Sequence, residues 1–215
     1  QTVVVPGDLS ADAFFLVGAS IVPDSDVTVL SVGMNPTRTG LLDILRQMGA
    51  HIEVLNPREE AGEPVADLRV RSMPLRGVQI GPEQIPQTID EFPILCVAAA
   101  VAEGETVITG AEELRVKESD RIATMATELR AMGARIEERP DGMVIQGLGR
   151  KGANGTLTGA TCASYGDHRV AMSVAIGALT AAQPTEIQNT DCIETSFPNF
   201  DRKLLELLTD SVKRL

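Results

Sequence analysis

Three helix-length stretches of this chain are apolar nearly all the way round, and such stretches must be buried on every side. Val170, Ala171, Met172, Val174, Ala175, Ile176, Ala178 and Leu179 leave hardly any polar face. The other two run through Ala13-Phe14-Phe15-Leu16-Val17 and Ile94-Leu95-Cys96-Val97. Each follows an aspartate, namely Asp12, Asp90 and Asp167. The recurrence, at about eighty residues, exceeds common solenoid periods and reads as three supersecondary units in one domain, roughly 1–64, 65–142 and 143–215.

A second echo supports the repeat. Met48-Gly49-Ala50-His51-Ile52-Glu53 returns as Met132-Gly133-Ala134-Arg135-Ile136-Glu137. Both follow an amphipathic stretch and precede an expected strand, with the glycine set to end the helix. Ile122, Met125, Ala126, Leu129 and Met132 keep the helical spacing of one buried stripe. Leu41, Leu42, Leu45 and Met48 repeat it, as do Leu204, Leu205, Leu207 and Leu208. Short β-branched runs at Val27–Leu30, Thr106–Ile108, Val144–Ile145 and Thr185–Ile187 read as strands. Residues 59–64 and 150–155 read as exposed loops. Three apolar helices cannot all lie outside a sheet. They are expected together in the middle, ringed by strands and amphipathic helices, which makes an α/β domain with approximate threefold symmetry.

Charge narrows the partners. The net charge of −11 argues against nucleic acid and anionic membranes, and any bound anion needs a local cationic cluster. Aromatics at 3% leave no base-stacking platform. The longest uninterrupted apolar run, Ile94–Ala102, is far too short for a membrane span. Cys96, Cys162 and Cys192, odd in number and unclustered, read as reduced cytoplasmic thiols. No metal spacing, P-loop or dinucleotide fingerprint occurs, so neither a metal nor a cofactor is expected. Gln1 opens into valines without a signal-like start, and the missing initiator Met suggests a processed end or a piece of a longer chain.

Two segments gather cations where helices begin. In Arg115-Val116-Lys117-Glu118-Ser119-Asp120-Arg121, Lys117 and Arg121 would share a helix face at its positive end. Either an anion sits between them, or Glu118 and Asp120 neutralise them. In Tyr165-Gly166-Asp167-His168-Arg169, Asp167 suits an N-cap. Arg169 then enters a buried helix and needs a partner, either a bound anion or an internal acid. Asp90, ahead of Pro93, reads either as a helix cap or as a carboxylate facing the same cleft and able to accept a proton.

Leu114–Arg121, Asp167–Met172 and Thr195-Ser196-Phe197-Pro198, with Pro6-Gly7-Asp8 and Asn35–Gly40, together resemble the 5-enolpyruvylshikimate-3-phosphate synthase family nearly end to end. The resemblance implies two domains of three βαβαββ-like units each, built inside-out. It also implies that this chain is the C-terminal domain alone, with the N-terminal domain of the same polypeptide as its missing partner. The implied reaction joins the 5-hydroxyl of shikimate 3-phosphate to phosphoenolpyruvate through a tetrahedral adduct and releases phosphate, a step of aromatic amino-acid biosynthesis. By resemblance, Asp90 accepts the hydroxyl proton and contacts the shikimate ring. Lys117 contacts that hydroxyl and the reacting centre, and Glu118 handles the proton at the methylene carbon. Arg121 and Arg169 hold phosphoenolpyruvate, mainly its carboxylate, supported by His168. Ile193–Ser196 has no cation ahead of Phe197-Pro198, so no binding role is carried there. The isolated domain is expected to be inactive. The other readings are a domain of the related UDP-N-acetylglucosamine enolpyruvyl transferase and a non-catalytic anion-binding domain of the same fold.

Overall fold

The computed structural model describes residues 5–150 and 156–209. Its centre is made of the three apolar helices: α1 (Leu9–Ile21), α3 (Phe92–Val101) and α5 (His168–Ala178). Each packs against the other two. Every residue of α3 is buried, as a helix without a polar face requires. One continuous apolar cluster joins all three helices, and a smaller one lies between α1 and the first sheet. The domain is therefore inside-out, as expected.

Each central helix is a crossover between parallel backbone segments. Gly7 and Val32 form a parallel bridge on either side of α1. Strand β4 (Gln79–Ile80) pairs in parallel with β5 (Glu103–Ile108) around α3, and β8 (Thr161–Ala163) with β9 (Glu186–Gln188) around α5. Parallel strands need such a crossover. Repeating it three times brings the three helix N-termini to one end of the domain.

The first two units add an amphipathic helix and an antiparallel hairpin. Helix α2 (Gly40–Gln47) follows β1 (Asp26–Gly33), and β2 (His51–Glu60) and β3 (Glu63–Arg71) complete a sheet of order β1-β3-β2. Helix α4 (Arg121–Ala131) follows β5, and β6 (Arg135–Arg139) and β7 (Gly142–Leu148) complete the order β4-β5-β7-β6. The two echoed sextets close α2 and α4 identically. Gly49 and Gly133 sit at φ 92° and 87°. The N–H groups of Gly49 and Ala50 reach Arg46 and Leu45, and those of Gly133 and Ala134 reach Arg130 and Leu129. These are Schellman closures, which need a left-handed residue. In the third unit, a 3-10 turn (Thr190–Thr195) leads to α6 (Phe200–Thr209), where Phe197 and Phe200 pack on Phe15.

Two expectations need correction. Residues 59–64 are the tip of the β2–β3 hairpin, with Glu60 paired to Glu63 and Ala61-Gly62 at positive φ. Both hairpins straddle the expected unit borders, so the units end after Arg71 and Leu148. Of the expected loop at 150–155, residues 151–155 lie outside the described residues.

Candidate functional site

The gathered helix starts are joined by polar side chains. Asp8 caps α1 by accepting from the Ser10 N–H, and Asp120 caps α4 by accepting from the Ala123 N–H. Asp167 caps α5 by accepting from Arg169 N–H at 2.9 Å. Each side chain satisfies an orphan donor of its helix. Across the mouth, Ser10 donates to Glu91, Arg121 reaches Asp167, and Arg169 reaches Asp90.

Arg121 is the first residue of α4 and its side chain is 1% exposed. Its Nε donates to Asp167 Oδ2 at 2.9 Å and its Nη2 to Glu118 Oε2 at 2.6 Å. Nη1 is buried without a hydrogen-bond partner, 3.6 Å from Asp90 Oδ1. Asp167 is fully buried and also accepts from the Ser119 hydroxyl at 3.0 Å. Burial alone would raise the Asp167 pKa, but the Arg121 guanidinium, the Arg169 N–H and Ser119 hold it below the usual carboxylate range. This pair is the structural hub of the mouth, because removing one partner leaves the other charge buried and costs about 3–5 kcal/mol.

Asp90 stands differently. Helix α3 begins at Phe92 with Glu91 at the cap, and the Asp90 carboxylate caps nothing. Its oxygens lie 3.6 Å from Arg121 Nη1, 3.7 Å from Arg169 Nη2 and 3.9 Å from Arg38 Nη2. All three distances are too long for hydrogen bonds. Arg169 donates through Nη1 to the Asp90 carbonyl at 3.1 Å, which ties the start of α5 to the start of α3. Burial, with Arg169 alongside, lowers the His168 pKa, so the ring is neutral at neutral pH and offers a hydrogen bond rather than a charge. Glu91 is buried and its carboxyl is pushed up by that burial.

The structure brings together Asp90, Glu118, Arg121 and Arg169, with His168 beside Arg169. Lys117 does not share a helix face with Arg121. It lies in a bend ahead of α4, because Asp120 takes the cap position and starts the helix one residue later. Its Nζ is 2.6 Å from Glu113 Oε1. Internal acids meet these cations: Glu113 meets Lys117, while Glu118 and Asp167 meet Arg121. Asp120 instead meets Arg115, whose other nitrogens hold Glu138 and the Pro140 and Arg139 carbonyls. That clamp fixes the 112–120 segment to the β6–β7 hairpin. Arg38, Ser10 and Glu91 also belong to the mouth and were not singled out from the sequence. The available signal was a cation one residue ahead of the Thr39 cap of α2, the same anomaly that marked Arg169.

Among the described residues, no group of three or more His, Cys, Asp or Glu side chains is placed to hold a metal ion, and no helix is long and apolar enough to cross a membrane. Cys96, Cys162 and Cys192 are free thiols.

The model of the family described as EPSP synthase (3-phosphoshikimate 1-carboxyvinyltransferase) matches residues 1–204. A 3-phosphoshikimate 1-carboxyvinyltransferase of Geobacter sulfurreducens is 57% identical over 200 residues, covering 93% of this chain and 45% of that protein. One from Synechococcus elongatus is 58% identical over 208 residues, covering 97% and 45%. The chain thus spans less than half the length of these relatives. Among solved structures, an EPSP synthase from Acinetobacter baumannii superposes with a TM-score of 0.91 at 46% identity, over 94% of this chain and 46% of that one. The enolpyruvyl transferase NikO from Streptomyces tendae superposes with a TM-score of 0.72 at 18% identity, over 94% of this chain and 43% of that one, a likeness of fold.

Proposed function

The chain belongs to the EPSP synthase family, and from that premise we propose that it supplies one domain of an enzyme that moves the enolpyruvyl group of phosphoenolpyruvate to the 5-hydroxyl of shikimate 3-phosphate. The oxygen of that hydroxyl bonds to C2 of phosphoenolpyruvate as the double bond opens and its methylene carbon takes up a proton, giving a tetrahedral adduct with a methyl group. The adduct then loses phosphate as its C–O bond breaks, and the methyl carbon returns a proton to restore the double bond. The remaining contacts come from a further domain of the same polypeptide, a reading supported by the 45% coverage of the relatives. Three free thiols agree with a cytoplasmic, reducing setting.

One observation carries the assignment: the buried Arg121 guanidinium is gripped by Asp167 only at Nε. Its fork is left toward Asp90 and the half-exposed Glu118, with Nη1 unbonded. A carboxylate guest takes a fork of this kind in bidentate fashion. Arg121 and Arg169 then hold the phosphoenolpyruvate carboxylate, with neutral His168 as a hydrogen-bonding support. Asp90 keeps its lone pairs free of hydrogen bonds and accepts the proton of the attacking hydroxyl. Glu118, released from Arg121 by the guest, exchanges the proton at the methylene carbon. Lys117 turns from Glu113 to the hydroxyl and the reacting centre. Both substrates are polyanions, so apposed cations offset their repulsion and stabilise charge as it develops. Domain closure holds the reactants in line and excludes water.

The test is phosphate release by the two-domain enzyme given phosphoenolpyruvate with either shikimate 3-phosphate or UDP-N-acetylglucosamine. Release with the first acceptor alone is expected. Release only with the sugar nucleotide would reverse the assignment of the acceptor.

A further inference from the structure

Arg38, Ser10 and Glu91 form a relay that the transfer reading leaves without a task. Ser10 is buried in the first turn of α1, and its N–H donates to Asp8 Oδ1 at 3.1 Å. Its hydroxyl donates to the buried carboxylate of Glu91, at the start of α3. A serine hydroxyl has one proton and two lone pairs. With the proton committed to Glu91, a lone pair is left facing outward, and Arg38 Nη2 donates to it at 2.9 Å. The relay therefore ties together the starts of α1 and α3 and the loop ahead of α2.

That tie matters because of where Arg38 sits. Its side chain is half exposed, and an arginine in water gives up considerable rotamer freedom when it is held in one pose. An exposed ion pair is too weak to hold it. A hydrogen bond to a buried hydroxyl of fixed direction does. The guanidinium is thereby held across the mouth, 3.9 Å from Asp90 Oδ2. Three guanidinium groups face Asp90, and the other two, Arg121 and Arg169, are the ones assigned to the carboxylate of phosphoenolpyruvate.

We propose that Arg38, anchored through Ser10 and Glu91, is a positioning residue that keeps the Asp90 carboxylate aimed into the mouth while Arg121 and Arg169 engage the anionic substrate. The proposal rests on the reading of Asp90 as the proton acceptor, and its test separates the two.

The anchor is tested on the 215-residue chain itself, without activity. Nitrogen relaxation of side-chain Nε–H groups should find Arg38 as ordered as Arg169 and far more ordered than the exposed Arg202, and Ser10→Ala should release it. An Arg38 as mobile as Arg202 in the unaltered chain overturns the proposal. In the two-domain enzyme, Arg38→Gln should lower kcat about tenfold with KM for phosphoenolpyruvate unchanged, and Arg38→Lys should recover part of the loss. On an Asp90→Asn background, Arg38→Gln should have no further effect, because residues acting as a unit are not additive. Multiplying losses on that background would overturn the proposal. So would a raised KM for shikimate 3-phosphate with kcat untouched, which would make Arg38 a substrate contact. An ordered Arg38 in a two-domain enzyme that transfers no enolpyruvyl group leaves the anchor standing and overturns the transfer reading alone.

Discussion

Asp90 and Asp167 stand ahead of the apolar central helices of two repeated units, Asp167 at the cap and Asp90 one residue before it, and the fold treats them in opposite ways. Asp167 is fully buried and accepts from Arg121, Ser119 and the backbone of its own helix. The Asp90 side chain is 34% exposed and accepts no hydrogen bond among the described residues, although three guanidinium groups face it within 4 Å. A carboxylate with every lone pair engaged holds structure together and has nothing left for a substrate. One steered by cations at longer range keeps its lone pairs for chemistry. The first unit adds a third outcome. Asp12 lies inside the first turn of α1, and the capping role belongs to Asp8.

This contrast can be broken by substitution. The largest effect is expected for Asp90→Asn in the two-domain enzyme: turnover falls by about 10²–10⁴-fold, the range for losing a general base, and the melting temperature is unchanged. Unchanged phosphate release would reduce Asp90 to a bystander. Asp167→Asn should do the reverse in this chain, costing about 3–5 kcal/mol in denaturant unfolding, because Arg121 loses its buried counter-charge. If that variant unfolds at the wild-type denaturant concentration, the hub reading fails.

Acidity sharpens the comparison. Burial, then the neighbouring Asp8, raise Asp12 to about 7 in the folded chain. A raised carboxyl contributes stability that is fully present below its unfolded value near 3.9 and is lost as pH rises through the folded value. Thermal melts should therefore show Asp12 eroding stability between pH of about 4 and about 7, and Asp12→Asn should flatten that fall. Asp167, held low, has the opposite sign: its contribution is present above the unfolded value and disappears as acid reaches the folded one. The smallest effect belongs to Asp8→Ala, which removes only an N-cap and should cost about 1 kcal/mol in the same melts with binding unaffected.

Much of the architecture could be read without coordinates, because apolar helices admit few arrangements. Val170–Leu179 has no face to offer water, so its central position followed from composition alone. Gly49 and Gly133 announced two helix ends, since a left-handed closure favours that residue. Strand β3 escaped notice because its charged start, Glu63-Pro64, read as the end of a loop, and only pairing with β1 and β2 reveals it. Lys117 looked helical by spacing. Asp120 wins the cap, and capping decides where a helix begins regardless of the charges upstream. The three aspartates lined up by repeat were one turn out of register in the first unit, because the helix there starts before Asp12 rather than after it. The pairing of Arg121 with Asp167, 46 residues apart, left no local trace, as long-range ion pairs leave none.

The central claim is that the cations at the mouth receive the anionic guest. Its most direct test follows the side-chain Nε–H resonances of Arg121 and Arg169 in the two-domain enzyme as phosphoenolpyruvate is added with shikimate 3-phosphate. Both resonances should move and saturate together while that of the exposed Arg202 stays in place. Saturable binding that leaves Arg121 and Arg169 unmoved would contradict the account.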